Sequence, residues 1–293
     1  MRLENRTAIV TGAGGGLGRA HALELARQGA KVLVNDMNGD CAEQVAAEIR
    51  GVGGEALAFA ASVTDEAAVA AMVAHMMDAW GRVDILVNNA GILRDKTFAK
   101  MSLDDFRLVV DVHLMGAAIC TQAVWGIMRE QQYGRVVMTT SSSGLYGSFG
   151  QANYGAAKMA LVGLMQTLAL EGEKYGIRVN CLAPTAATQM TDGILSGDAL
   201  KALAPELVSP GVVALVHEDA PTRAILCAGG GYFARANITL TEGRYVGSGD
   251  AAAEQIIRDF DAISDRGGEI VPAYGLIQSE RELAGASIAQ NKG

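Results

Sequence analysis

The sequence predicts an α/β protein built on a doubly wound parallel sheet of about seven strands with helices on both faces. Three observations carry that expectation. Short β-branched runs alternate with longer helical segments along most of the 293 residues, the order that produces strand–helix–strand crossovers. The runs Ile85-Leu86-Val87 and Val136-Val137-Met138 are apolar without alternation, as strands covered on both faces must be. A glycine-rich turn joins the first strand to the first helix.

Taken in order, strands are expected near 6–11, 31–35, 56–61, 83–88, 134–140, 177–182 and 224–228. Helices are expected near 16–28, 40–50, 65–79, 102–131, 152–175 and 200–217. Composition shifts near Gly243–Ala253, where Gly, Ser and Ala replace the core pattern. Residues 1–247 are therefore expected to form one large domain. Residues 248–293 are expected to form an extension with a single helix, Ala251–Asp261, and a weakly patterned tail from Gly267 that packs on a partner subunit or stays mobile.

Composition removes several classes of function. The net charge is −8 and no basic run occurs, which argues against nucleic acid as a partner. Cys41, Cys120, Cys181 and Cys227 are scattered and the four histidines dispersed, so no metal site is expected and the thiols suit a reducing compartment. The first residues lack the apolar stretch of a signal peptide, and no run is expected to span a bilayer. The last residues, Gln-Asn-Lys-Gly, are not a peroxisomal address. A cytoplasmic location is expected.

The first strand runs into Thr11-Gly12-Ala13-Gly14-Gly15-Gly16-Leu17-Gly18, and a helix follows at once. Gly12, Gly16 and Gly18 let the backbone turn sharply, and the helix start, including Leu17, presents free N–H groups to a pyrophosphate. Between a strand and a helix of the first crossover, this is where a Rossmann-type dinucleotide site has its phosphate loop. The second strand ends at Asp36, eighteen residues beyond Gly18. A carboxylate there accepts hydrogen bonds from both adenosine ribose hydroxyls and repels a 2′-phosphate, so NAD is expected rather than NADP. A solvated strand-end acid is the alternative.

Tyr154-Gly155-Ala156-Ala157-Lys158 puts Tyr154 and Lys158 four residues apart, on one helix face. An ammonium beside a phenol favours the phenolate, so Tyr154 is expected to be made acidic enough to carry the proton of an alcohol. Ser141 lies thirteen residues earlier at the end of an apolar strand, where sites form in parallel sheets and a hydroxyl can orient a substrate oxygen. Ser142 and Ser143 are adjacent competitors for that role.

Together these residues resemble the short-chain dehydrogenase/reductase superfamily, from Asn5 to about Gly247. The resemblance rests on the Thr11-to-Gly18 loop, Asp84 through Asn88-Asn89-Ala90-Gly91, the Ser141/Tyr154/Lys158 set, and Arg178-Val179-Asn180 leading to Pro184 and Thr188. It implies that Asn89, Ala90 and Gly91 pass beside the cofactor ribose, that Lys158 also bonds the nicotinamide ribose, and that Pro184 and Thr188 border the nicotinamide. Gly91-Ile92-Leu93-Arg94-Asp95, Val112-His113-Leu114 and Gly150-Gln151-Ala152-Asn153-Tyr154 look like the (3R)-hydroxyacyl-CoA dehydrogenase part of the type 2 peroxisomal multifunctional enzymes, also called type 4 17β-hydroxysteroid dehydrogenases. The chain would be a stand-alone version of that part. Most of the superfamily has Asn where this chain has His113; the multifunctional branch resembles it in having His. A packed helix residue is the plainer reading of His113. The acid that often contacts adenine after the third strand is replaced by Ala61-Ser62-Val63, which leaves Val63 and backbone for that role.

The resemblance implies an NAD-dependent dehydrogenase of 3-hydroxyacyl-CoA, of (3R) configuration, with an acyl-CoA or steroid as its small-molecule substrate. The rivals are a 17β-hydroxysteroid or steroid side-chain acyl-CoA dehydrogenase, an NADPH-dependent 3-oxoacyl carrier-protein reductase, and a dinucleotide-binding regulator without turnover. The small residues of 152–175 and the apolar segment 102–131 are expected to pair across a two-fold axis in a homodimer or homotetramer; burial within one subunit is the alternative. A substrate lid is expected from Gln189 to about Pro210, with Met190, Ile194, Leu195, Leu200 and Leu203 lining an acyl slot or packing as an ordinary helix. Arg94 and Lys96 are expected to meet coenzyme A or solvent.

Overall fold

The computed structural model describes residues 3–186 and 202–290. It contains one eight-stranded sheet in the order β3-β2-β1-β4-β5-β6-β7-β8. The strands are β1 (Thr7–Val10), β2 (Lys31–Asp36), β3 (Ala56–Ala60), β4 (Ile85–Asn88), β5 (Gly134–Thr139), β6 (Ile177–Thr185), β7 (Ile225–Gly229) and β8 (Tyr232–Ala236). The first seven pair in parallel, with registers such as Val10↔Val34, Val10↔Val87 and Met138↔Cys181. The order reverses between β1 and β4, so the crevice at their carboxyl ends is where a ligand site forms.

The helices cover both faces. They are α1 (Gly16–Arg27), α2 (Gly39–Gly51), α3 (Glu66–Trp80), α4 (Leu103–Val110), α5 (Gly116–Gln131), α6 (Ser142–Tyr146), α7 (Ala152–Gly172) and α8 (Ser209–Val216). Side-chain caps start several of them: Asn38 accepts from Asp40 N and Cys41 N, Asp65 from Ala68 N, and Ser102 from Asp105 N, each satisfying donors that a helix start leaves free. Polar–apolar alternation is absent from the central strands, whose residues Ile9, Val10, Leu33, Ile85, Leu86 and Val137 are completely buried.

Three features differ from the sequence-based expectation. An eighth strand follows the Gly230-Gly231 turn; its exposed side chains left no apolar run to read. The expected helix 102–131 is divided by a π turn, Asp111–Met115, in which Gly116 N donates to Asp111 O. By length and composition alone Leu103–Gln131 would cross a membrane, but Val109, His113, Cys120, Val124 and Met128 are buried within the protein. The described part of the expected helix 200–217 is a 3-10 turn, Pro205–Leu207, and then α8, each with a proline in its first turn, where the missing N–H costs nothing.

The chain divides into two compact units, Met1–Arg235 and Ala236–Gly293, so the expected boundary at Gly247 lies inside the second unit. The described residues of that unit hold three helices, Ala252–Arg258, Phe260–Ile263 and Leu276–Gln290, where one was expected. An antiparallel bridge joins Leu240 to Ile270, and Arg281 donates to Thr241 O at 2.9 Å. None of its described side chains is buried.

Candidate active site

The glycine-rich loop leaves β1 and is folded by close packing against the end of β4. Gly12 sits at φ +60°, and a Cβ there would lie 2.7 Å from Ala90 Cα. A Cβ on Gly18 would overlap Gly12 O and lie 2.6 Å from Asn89 Nδ2. Thr11 Oγ1 accepts from Asn89 N at 3.0 Å and Ala90 N at 3.1 Å, while Asn89 Nδ2 donates to Thr11 O at 2.9 Å and Gly12 O at 3.0 Å. Asn89, expected beside the cofactor, thus spends its amide protons pinning the loop. Gly15 is the open position, with nothing within 4 Å of a Cβ there. It also caps α1 without a side chain, and Gly16 and Leu17 open the helix. An exposed, uncapped helix start behind a tight glycine turn fits a pyrophosphate.

Asp36 lies at the end of β2 beside this loop. Its Oδ2 accepts from Gly14 N and its Oδ1 from Asn38 N, both at 3.0 Å. Each oxygen keeps a lone pair for a ribose hydroxyl. Val63 is buried, and a Cβ on Gly116 would lie 2.6 Å from its Cγ2, so its side chain wedges the β3 end against α5. Pro184 is half-buried near the end of β6. Thr188 and the expected lid residues Met190, Ile194, Leu195 and Leu200 lie outside the described residues; Leu203 is half-buried.

The second set of residues comes from β5, α6, α7 and the π turn. Ser141, two residues past the end of β5, is buried and caps α6 by accepting from Ser143 N at 3.2 Å. Its hydroxyl lies close enough to the Tyr154 phenol to lower its proton affinity. Lys158, one turn along α7 from Tyr154, is 3% exposed. Its Nζ lies 5.5 Å from the Tyr154 ring centroid and donates to Thr139 O at 2.5 Å. Thr140 Oγ1 in turn donates to Lys158 O at 2.6 Å, fastening α7 to the end of β5. Sequence reasoning did not single out Thr11, Thr139 or Thr140 for a role of their own; they lie next to residues that it named.

His113 joins the two sets. Its ring meets Tyr154 edge-on, with centroids 5.1 Å apart, and a Cβ on Gly91 would overlap its Cε1. Gly91 therefore stays bare so that the imidazole can pack on the turn that also holds Thr11 and Gly12. His113 Nε2 lies 2.8 Å from Ile92 O and 3.1 Å from Ile92 N. Nε2 donates to the carbonyl in one neutral tautomer and accepts from the amide in the other, and Nδ1 is buried without a protein partner. Burial, then the Lys158 charge, push His113 down to about 3, against a bond to Ile92 that raises it. The imidazole is neutral at physiological pH.

The electrostatics correct one expectation. Tyr154 is held above the ordinary phenol range, not below it: burial raises it, the Ser141 hydroxyl lowers it, and the Asp95 charge raises it again. Burial also pushes Lys158 down to about 7. The ammonium that was to acidify the phenol is itself desolvated and only partly charged at neutral pH. Among the described residues no cluster of His, Cys, Asp and Glu is arranged to hold a metal.

Known proteins resemble this chain in sequence and in fold. The short chain dehydrogenase family model matches residues 6–198. A peroxisomal multifunctional enzyme type 2 of Drosophila melanogaster is 52% identical over 75% of this chain, which spans 38% of that enzyme. A putative short-chain type dehydrogenase/reductase of Mycobacterium tuberculosis is 50% identical over 78% of this chain and 84% of its own length. The solved full-length fly multifunctional enzyme superposes with a TM-score of 0.83 at 36% identity, over 97% of this chain and 49% of that one. A 7α-hydroxysteroid dehydrogenase complexed with NADH and 7-oxo glycochenodeoxycholic acid superposes with a TM-score of 0.73 at 30% identity, over 78% of this chain and 95% of that one. The chain belongs to the short-chain dehydrogenase family of oxidoreductases.

Proposed function

We propose that the protein is an NAD-dependent dehydrogenase of 3-hydroxyacyl-CoA thioesters with (3R) configuration, using Tyr154 to carry the hydroxyl proton. One observation carries the reading: Ser141, Tyr154, Lys158 and His113 converge at the carboxyl edge of the sheet, against the same turn that closes the glycine-rich loop. The acyl-CoA substrate class is supported by the likeness to multifunctional enzymes of fly and mouse, the latter at 48% identity, and to a yeast hydratase-dehydrogenase-epimerase at 47%.

The residues divide the work. Gly12 to Gly18 take the pyrophosphate, and Asp36 takes the adenosine ribose hydroxyls and disfavours a 2′-phosphate. NAD, when bound, supplies the hydride acceptor. Ser141 donates to the substrate oxygen and fixes it beside the Tyr154 hydroxyl. Tyr154 accepts the alcohol proton in oxidation and returns one in reduction, while Lys158, one turn along α7 and only partly charged at neutral pH, is placed to bond the nicotinamide ribose. Because burial holds the Tyr154 proton tightly, oxidation should accelerate as pH rises through the alkaline range, whereas reduction needs the protonated form that neutral pH supplies.

The deciding measurement compares oxidation of (3R)- and (3S)-hydroxyacyl-CoA and of a 17β-hydroxysteroid, each with NAD and NADP. The proposal expects the (3R) thioester to lead and NAD to be preferred at least ~10-fold, about 1.4 kcal/mol. Equal efficiency with NADP removes the role of Asp36. A steroid that outperforms both thioesters moves the assignment to the hydroxysteroid reading, which the likeness to the 7α-hydroxysteroid dehydrogenase favours.

We also propose at least a dimer. Leu108, Met115, Met159 and Leu170 expose apolar surface along α4, the π turn and α7, surface that a second copy would cover. Sedimentation at micromolar concentration should give at least twice the 30.5 kDa chain mass; a monomer ends the proposal.

A further inference from the structure

Beside Tyr154, the loop after β4 and the segment between α6 and α7 are joined by bonds that the proposed reaction does not use. Gln151 Nε2 donates to Asp95 Oδ2 at 2.7 Å, and Gln151 Oε1 accepts from Ser143 Oγ at 2.8 Å. Ser143 Oγ is also 2.9 Å from Ser148 Oγ, and Ser143 N donates to Ser141 Oγ. Two further bonds hold the same segments together: Asn153 Nδ2 to Arg94 O at 3.0 Å and Lys96 N to Gly150 O at 2.9 Å. The chain of bonds thus runs unbroken from the Asp95 carboxylate through one amide and one hydroxyl to the turn that carries Ser141.

We propose that Asp95 is a positioning residue for the reaction, its carboxylate fixed by Gln151 at the start of the helix that carries Tyr154 and clamping the Ser141 turn through Ser143. The proposal rests on the reading of Tyr154 as the proton carrier. The choice of partner is what gives it force. Gln151 is neutral, so it locates the carboxylate without cancelling its charge, and both ends of its amide are used, which fixes its orientation. The nearest cations of the loop are turned elsewhere, with Arg94 Nε 4.0 Å and Lys96 Nζ 3.5 Å from Asp105. The groups facing Tyr154 are then Ser141 from the end of β5, Lys158 from α7, neutral His113 from the π turn, and Asp95 from the loop. Of these only Asp95 brings a negative charge, which opposes the phenolate and helps to keep the proton on Tyr154.

The test uses the full chain with its seven tyrosines carbon-13 labelled at the ring carbon bearing oxygen, the Tyr154 signal being the one missing from Tyr154→Phe. In Asp95→Asn the carboxamide still accepts from Gln151 but carries no charge. Its Tyr154 titration midpoint should fall by about half a pH unit, and the acid limb of kcat/KM for alcohol oxidation should move down with it. Asp95→Glu, which restores the charge, should lie close to wild type. Gln151→Met keeps the carboxylate but cuts its tether; kcat should drop about tenfold with little change in KM. A midpoint that stays put in Asp95→Asn, or that Asp95→Glu displaces as far, overturns the proposal. The nuclear magnetic resonance titration needs no turnover. A wild-type chain that oxidises none of the alcohols therefore defeats the functional reading, while the midpoints still decide the role of Asp95.

Discussion

At the amino-terminal edge of the sheet, Asp84 is completely buried and richly partnered. It accepts from Thr7 N at 2.9 Å, Arg82 Nε at 2.7 Å and a second Arg82 nitrogen at 2.6 Å, with Arg6 at 3.3 Å. Arg135 beside it donates to four backbone carbonyls, those of Gly134, Gly176, His217 and Glu218. Arg6 and Arg135 both lie over the Tyr133 ring, at 3.7 and 4.1 Å. At the carboxyl edge some polar atoms are equally buried but short of partners. Asn35 Oδ1, Asn88 Oδ1, Thr139 Oγ1 and His113 Nδ1 have none, and the Lys158 ammonium is held by the Thr139 carbonyl. Buried groups are normally satisfied. The first edge follows that rule, the Tyr133 hydroxyl excepted, and holds the strands in register. The other departs from it where the chemistry is placed.

The sharpest way to break this comparison is Tyr154→Phe. The ring is kept and the proton carrier deleted, so turnover should fall ~10²-fold or more, about 2.7 kcal/mol, with the unfolding midpoint nearly unchanged. Wild-type turnover would mean the carboxyl edge is not the chemical one.

Acid tests two buried imidazoles next, one of them at this edge. His113 and His21, the latter on α1 with its Nδ1 2.9 Å from Ser209 Oγ, are both held near 3 by burial. The unfolded chain binds protons at these residues from about pH 6.5 downward while the folded chain does not. Stability present at pH 7 is therefore lost as pH falls through that window toward 3. At pH 5 each histidine should cost about 2 kcal/mol, read from urea unfolding. His21→Gln should remove about half of the slope. A flat profile between about pH 7 and pH 5 would show that these imidazoles are not sealed from water.

Asp84→Asn probes the opposite edge. Losing the charge opposite Arg82 and Arg6, both partly exposed, should cost about 1.5 kcal/mol of stability while kcat per folded molecule stays the same. A fall in kcat without loss of stability would erase the division of labour. Gly91→Ala is the smallest expected effect. The added methyl displaces His113, which should cost about 1 kcal/mol and lower turnover several-fold, measured against the unfolding midpoint of the same variant.

The elements that were legible in the sequence are those whose environment is uniform. The central strands are buried on both faces, and their apolar runs mark them. Tyr154 and Lys158 could be paired because helix periodicity puts them on one face, whereas the strand end narrowed the serine only to Ser141, Ser142 and Ser143, and the resemblance chose among them. β8 was hidden because Tyr232, Phe233 and Arg235 all face solvent. The helix Leu276–Gln290 was hidden because its residues follow no strong apolar stripe. The proton affinity of Tyr154 could not be read from spacing to Lys158, since desolvation of both groups depends on elements far apart in the chain. The role of Asn89 as a pin is likewise a tertiary fact: its partners Thr11 and Gly12 lie 78 and 77 residues away.

The π turn at Asp111–Met115 carries one residue more than a regular helical turn would need. A deletion there, of Val112 for instance, would let the backbone relax into ordinary helix while α4 and α5 stay seated on their neighbours. The imidazole of His113 would no longer face Ile92. Such a shortened protein should melt close to the parent yet handle its proton poorly. Gene variants one codon short at this point would then pass a screen for folding and fail one for growth on the substrate.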